Sequence, residues 1–266
     1  MGEILIIGTT PIAIETINTL KEMQLNIDAI DVIDTENIGI EINRANEKVK
    51  IIDLDVALKK NYTLVVEMAG ASKAKDLVPK FLERGNKVVL LAASLLADEK
   101  YFEEITRIAK LSGGKIIVPF GAIPGLDIIS ALSPLQNLDV EIEIRRPPEV
   151  LAKVLKEAGF EPDAAEVPVV LYEGSALEEL KRIKNGINTI MAAVLAAGRD
   201  IKLKIVADSQ VEGSKYKVKI SSPIANVRIE AIYEVLGKDP TVSKIFVYSV
   251  IRVIKAILED QTVIVF

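Results

Sequence analysis

Glu3-Ile4-Leu5-Ile6-Ile7-Gly8-Thr9-Thr10-Pro11-Ile12 is the stretch on which the reading of the fold turns. A short apolar strand, Glu3–Ile7, runs into a glycine turn, and a helical apolar pattern follows from about Ile12 to Met23. A strand, a glycine turn and a helix at the head of an α/β sheet can hold a pyrophosphate, because helix N–H groups and the helix dipole favour its charge. A G-x-G-x-x-G frame laid from Gly8 meets Thr10 at the second glycine and Ala13 at the third. Alanine is tolerated at the third position, where only close packing is at stake. Thr10 matters more, since its side chain stands where the backbone should approach the phosphates, and Pro11 lacks an N–H. The stretch therefore reads equally as a dinucleotide loop and as an ordinary turn.

Outward from the loop, Ile27–Ile33 reads as a second strand, with Asp31 and Asp34 lying 23 and 26 residues after Gly8. Either acid could meet an adenosine ribose, though strand alternation lets at most one point there; both read equally as solvated acids. Arg44 could instead serve a 2′-phosphate, so NAD and NADP are both open. Asn61–Glu67, Lys87–Ala92 and Lys115–Pro119 continue as strands. A helix capped by Ser72 runs to about Arg84 and stops at Gly85, and Asp98 caps a helix over Glu99–Leu111. This alternation predicts a doubly wound parallel sheet.

The pattern changes after about Asp127. Val140–Ile144 and Val167–Tyr172 read as strands, Ser175 and Glu178 as a capping box for a helix to about Ile183, and Thr189–Ala197 as an Ala-rich helix. Ile201–Ala207, Lys215–Ile220 and Val227–Tyr233 alternate as half-buried antiparallel strands do. A helix over about Val242–Leu258 and a strand over Thr262–Phe266 close the chain. The expected architecture is α/β: a Rossmann-type domain over 1–120 with about 240–266, and a second, mixed α/β domain over 121–239 for substrate and dimerisation. The C-terminal helix is expected to pack back on the first domain.

Composition narrows the chemistry. Among 266 residues there is no histidine, cysteine or tryptophan. The commonest general acid–base, the commonest metal ligand and every thiol nucleophile are thus excluded, and no metal site is expected. A net charge of −5 argues against nucleic acid as the main partner. No apolar run is long enough to span a bilayer, and Met1-Gly2-Glu3 leads straight into a strand with no room for a signal peptide. A cytoplasmic protein is expected.

Three further segments are more specific: Leu64-Val65-Val66-Glu67-Met68-Ala69-Gly70, Gly121-Ala122-Ile123-Pro124-Gly125-Leu126-Asp127, and Ile205-Val206-Ala207-Asp208 through Ile220. With Tyr172-Glu173-Gly174-Ser175 and Gly186-Ile187-Asn188 between them, their order and spacing resemble the L-aspartate dehydrogenase family, over nearly the whole chain. The resemblance implies a homodimeric enzyme that oxidatively deaminates L-aspartate with NAD or NADP. The product, iminosuccinate, hydrolyses to oxaloacetate or feeds NAD synthesis. It further implies that Gly8 to Ile12, including Thr10 and Pro11, cradle the pyrophosphate. Ala69 and Gly70 would lie along the nicotinamide ribose, and so would the turn with Ala93, Ser94 and Leu95, near the substrate. Asn188 would stand near the nicotinamide and substrate, and Gly121 to Asp127 would cross between domains.

One departure stands out. Where the family reads Ala-Asp-Pro, four residues, then Asn, any residue and His, this chain reads Ala207-Asp208-Ser209 and then Ser214-Lys215-Tyr216. Tyr216 thus occupies the catalytic histidine's position and Ser214 the asparagine's. A histidine near pKa 6.5 exchanges protons at neutral pH, whereas a tyrosine near 10 is almost wholly protonated, a loss of roughly 10³-fold in base population. Lys215 and Lys217 fall on the opposite face of the strand and do not repair this. Tyr216 also reads as packing, on an apolar face with Val218 and Ile220. Asp208 either orients the site or caps the turn, and Ser94 either binds substrate or shapes its turn. The leading expectation is an NAD(P)-dependent amino-acid dehydrogenase of the aspartate type, slow or shifted toward another amino acid or 2-oxo acid. The alternative is a catalytically lapsed cofactor-binding or regulatory homologue.

Overall fold

Strands covered on both faces are nearly continuous apolar runs, and the central strands of the first sheet are of this kind. The computed structural model describes residues 2–23, 25, 27–36, 48–152, 168–183, 187–236 and 239–259; the readings at Arg44, Val167, Gly186 and Thr262–Phe266 lie outside them. Two compact units emerge, one from the described residues within 1–119, 184–188 and 247–266, the other from those within 120–183 and 189–246.

In the first unit the chain runs β1 (Gly2–Ile7), α1 (Pro11–Glu22), β2 (Ile27–Ile33), β3 (Val49–Ile51), α2 (Leu54–Ala57), β4 (Leu64–Glu67), α3 (Ala71–Leu82), β5 (Lys87–Leu90), a 3-10 turn at Ala93–Ala97, α4 (Glu99–Ser112) and β6 (Lys115–Ile117). The strands form one parallel sheet in the order β3-β2-β1-β4-β5-β6. This is the doubly wound order in which β1 and β4 flank the point where the winding reverses, and ligands bind at the carboxyl ends of the strands there. Ile4 to Ile7, Leu64 to Val66 and Val88 to Leu90 are fully buried. α1 buries Ala13, Thr16, Ile17 and Leu20, the single stripe that the 3.6-residue period provides.

One helix start follows its sequence signal and another does not. Asp98 accepts hydrogen bonds from the Lys100 and Tyr101 amides and starts α4, and Gly113 ends it in a left-handed conformation. α3 begins earlier than Ser72 predicts: Gly70, at a φ of 83°, is the cap residue. A serine cap needs extended backbone and an oxygen aimed at the helix amides, but here the turn out of β4 already closes at Gly70.

The second unit contains α5 (Leu126–Leu132), β7 (Asp139–Arg146), β8 (Val169–Ser175), α6 (Ala176–Arg182), α7 (Asn188–Ala197, from Thr189 onward), β9 (Lys202–Ala207), β10 (Ser214–Ser221), β11 (Asn226–Tyr233) and a small ribbon of β12 (Val235–Leu236) with β13 (Asp239–Ser243). Its main sheet has the order β11-β10-β7-β9-β8. It is mixed rather than antiparallel throughout, since β7 pairs β9 in parallel. β10 is flanked on both sides, and alternation sorts its residues. Tyr216, Val218 and Ile220 join Ile142 and Ile144 in the core. Lys215, Lys217 and Lys219 meet Glu230, Glu143 and Glu141 on the other face at 2.7, 3.4 and 3.6 Å. Ser175 accepts from the Glu178 amide at the head of α6. The closing helix, α8 (Ile245–Leu258), starts later than Val242 because residues before it are drawn into the ribbon. From Val247 it belongs to the first unit, where a Cβ on Gly2 would come 2.9 Å from Leu258 Cδ2.

Candidate active site

The first cluster forms where β1, β2, β4 and β5 end. Gly8 has a φ of 116°, and a Cβ there would lie 2.7 Å from the Met68 carbonyl. No other residue fits so close a crossing. Thr10 does not stand in the way of a phosphate as its position in the motif suggests: its Oγ1 donates to the Met68 carbonyl at 2.9 Å, which fastens the side chain to the β4 exit. Thr10 makes no side-chain cap to α1, Pro11 occupies the first helical position, and the first turn carries no acid. The amides of Ile12 and Ala13 and the positive end of a 12-residue helix thus fit an anion. Proline costs only one donor there.

The two ribose candidates separate. Asp31 lies within β2, 2% exposed, and accepts from Lys60 Nζ at 2.5 Å and the Tyr62 hydroxyl at 2.8 Å. It is placed as a buried structural acid, and its hydrogen bond holds the Lys60 ammonium above its ordinary pKa. Asp34 follows the last residue of β2. It accepts from Thr9 Oγ1 at 2.7 Å and from the Glu36 amide at 3.1 Å, which ties the strand end to the glycine loop. That is where an acid for a ribose belongs.

Glu67 was not singled out as a site residue from sequence, yet it organises the next two loops. Fully buried at the end of β4, its Oε1 accepts from the Ala69 and Gly70 amides at 2.8 and 3.0 Å, and its Oε2 from the Ala92 amide at 2.9 Å. Burial pushes its pKa up, and the amides of Ala92, Ala69 and Gly70 pull the other way. The turns that carry Ala69, Gly70, Ala93 and Leu95 are held by one carboxylate. The available signal was an acid ending an otherwise apolar strand just before two small residues. Gly70 faces open space, with no atom within 4 Å of a Cβ built on it. Ser94 and Asn188 are brought together: the Asn188 carboxamide oxygen accepts from the Ser94 amide at 3.1 Å.

The second cluster lies in the other unit, at the ends of β7 and β10. Tyr216 is fully buried, accepts from Arg146 Nη2 at 3.2 Å, and has the Tyr233 ring 5.8 Å away. Ser214, 1% exposed, lies two residues before it on the same face. Asp208 does not join them. It faces the other side of the sheet, where Oδ2 accepts from Arg145 Nη1 at 2.8 Å and Oδ1 from the Gln210 amide at 3.0 Å. The Arg145 guanidinium holds the Asp208 carboxyl below the usual carboxylate range. Arg146 was not anticipated, because nothing local in Ile144-Arg145-Arg146-Pro147 distinguishes the two arginines.

The first unit thus carries an uncapped helix head, Asp34 at the end of β2 and two loops braced by Glu67, and the second carries a buried hydroxyl beside a guanidinium. No described helix is long and apolar enough to cross a membrane.

Comparison with known proteins agrees with this arrangement. Residues 8–119 match the family described as homoserine dehydrogenase, NAD binding domain, and residues 127–257 match aspartate dehydrogenase, C-terminal. L-aspartate dehydrogenase of Methanothermobacter thermautotrophicus is 31% identical over 225 residues, covering 83% of this chain and 84% of that one. The Methanocaldococcus jannaschii L-aspartate dehydrogenase is 30% identical over 210 residues, 79% of each chain. The crystal structure of aspartate dehydrogenase from Thermotoga maritima shares the fold, with a TM-score of 0.73 over the full length of both chains at 24% identity. A parallel sheet of dinucleotide-binding order, a second mixed sheet and relatives that span most of the chain place it in one group: the chain belongs to the L-aspartate dehydrogenase family and is an NAD(P)-dependent amino-acid dehydrogenase.

Proposed function

We propose that the chain oxidises L-aspartate to iminosuccinate, which hydrolyses to oxaloacetate and ammonia. The observation that carries this reading is the cradle formed by Gly8, the uncapped head of α1 and Asp34, in a chain whose relatives are L-aspartate dehydrogenases. When bound, the nicotinamide supplies the acceptor for the hydride leaving the substrate's α-carbon. The rest falls to the protein. The Ile12 and Ala13 amides would hold the pyrophosphate, and Asp34 would accept from the ribose hydroxyls. The loops of Ala69, Gly70 and Ala93 to Leu95 would hold the nicotinamide ribose, and Ser94 and Asn188 would face the substrate. The carboxylate of Asp34 favours NAD over NADP, because a 2′-phosphate would meet like charge. Tyr216 stands for the proton-handling group: its hydroxyl accepts from Arg146 and keeps one proton to donate.

The test is NADH oxidation followed at 340 nm with oxaloacetate and ammonia, beside calorimetry with NAD and NADP. Turnover together with NAD binding supports the reading, and absence of cofactor binding at millimolar concentration removes it. A second reading, a lapsed cofactor-binding homologue, draws support from the complete burial of Tyr216 and from the weakness of a tyrosine as base at neutral pH. Tight NAD binding without turnover on any amino acid or 2-oxo acid tried would favour it. A homodimer gives twice the chain mass by light scattering.

A further inference from the structure

Arg145 and Arg146 are neighbours in β7 and end on opposite faces of the sheet, with different company. Arg145 is met by two carboxylates, Glu143 at 2.5 Å and Asp208 at 2.8 Å. Arg146 meets no carboxylate among the described residues. One Nη donates to the Tyr216 hydroxyl at 3.2 Å, and its Nε–H is shut off from solvent with no hydrogen-bond partner. Ser214 precedes Lys215 just as Arg146 follows Arg145 across the antiparallel pairing of β10 with β7, which sets Ser214 opposite Arg146. The Ser214 hydroxyl is also buried and unpartnered.

Guanidinium is always charged, and a buried donor left unmade is costly because it has given up its hydrogen bonds to water. A chain that carries two such donors at facing register positions, beside a third donor in the Tyr216 hydroxyl, has built a site for acceptors it does not itself supply. The missing partner has to be anionic, because Arg146 brings a positive charge that nothing in the cluster offsets. A flat, two-oxygen carboxylate matches the fork of a guanidinium. We infer that Arg146, Ser214 and Tyr216 form the seat for a carboxylate group of the substrate, with Arg146 as its specificity-determining residue. The owner of that carboxylate, an amino acid such as aspartate, rests on the function proposed above; the seat itself rests on the orphaned donors.

Succinate, a dicarboxylate that cannot be oxidised at an amine, is the probe. It is titrated calorimetrically into the full chain with and without NADH, for the wild type, Arg146→Met and Ser214→Ala. The wild type binds succinate, Arg146→Met weakens it about 30-fold or more, and Ser214→Ala weakens it about 3- to 10-fold. NADH affinity stays within about twofold in both variants, which reports an intact first unit. In turnover, Arg146→Met raises KM for oxaloacetate by more than it lowers kcat. The proposal is overturned if wild type fails to bind succinate, if Arg146→Met binds it equally well, or if inorganic phosphate is preferred at the same site. Should circular dichroism show Arg146→Met unfolded, Ser214→Ala decides alone: unchanged affinity there overturns the seat. Succinate binding that depends on Arg146 in a chain without NADH binding or turnover keeps the seat and removes the dehydrogenase reading.

Discussion

Tyr216 is held from several sides at once: by strand pairing to Ile144 and Ala231, by the tilted Tyr233 ring, and by the Arg146 guanidinium at its hydroxyl. Tyr216→Phe removes only the oxygen, so it separates packing from chemistry. Losing the acceptor leaves a guanidinium N–H unmade, which is expected to cost about 1–3 kcal/mol in thermal unfolding. If the hydroxyl handles the proton, the rate at 340 nm falls by about 10²–10⁴-fold. A Phe variant that keeps its rate while losing stability would show that the Tyr216 hydroxyl handles no proton. Asp34 offers a second test at this scale. Asp34→Ala removes the acceptor that ties Thr9 to the strand end. NAD affinity should fall by about tenfold, and the margin over NADP should narrow, in parallel calorimetric titrations. Equal losses for both cofactors would mean that Asp34 acts on the loop and not on the ribose.

At the scale of elements, Glu67 joins the ends of β4 and β5 through three backbone amides, all of them donors. The three amide donors call for acceptor lone pairs on both oxygens, and a Gln amide offers only one such oxygen, so Glu67→Gln is less conservative than it looks. Whichever way the amide turns, its NH₂ faces at least one backbone N–H. Stability should fall by about 1–3 kcal/mol, and NADH fluorescence titration should show cofactor affinity falling with it. Full affinity in the variant would show that the loops hold their shape without the staple. The contrast between what was legible in sequence and what was not follows the same line. β1, β4 and β5 could be read because strands buried on both faces are continuous apolar runs, and the start of α4 because Asp98 marks it locally. The roles of Glu67, Asp31 and Arg146 could not, because a charge's role depends on which distant group faces it. Lys60 and Tyr62 make Asp31 structural from 29 and 31 residues away. The end of β2 at Ile33, one residue before Asp34, is set by its pairing with β1. In the same way, Arg145 and Arg146 share a sequence context and differ only in the face they occupy.

For the whole molecule, the two units carry buried carboxylates whose protonation acts with opposite sign. Glu67, in the first, has its pKa raised by burial, so its contribution to stability declines as pH rises from the ordinary carboxylate value through the raised one. Asp208, in the second, has its pKa lowered by its hydrogen bond from Arg145. Its contribution is therefore fully present above the unfolded value near pH ~3.9 and is lost as pH falls through the lower folded one. Glu143 shifts the same way: burial alone would raise it, and Arg145 with Lys217 outweighs burial. Acidification thus removes support from the Arg145 cluster of the second unit while relieving the first. Asp208→Asn isolates the effect. The variant should be about 1–2 kcal/mol less stable than the wild type at pH 7, where the ionised carboxylate accepts from Arg145. As pH drops below about 4, the wild type should lose that advantage and the two stability curves should converge. Denaturant unfolding at a series of pH values reads this directly. Curves that stay parallel down to pH 3 would show that the Asp208–Arg145 pair contributes no pH-dependent stability, and that acid lability has its origin elsewhere.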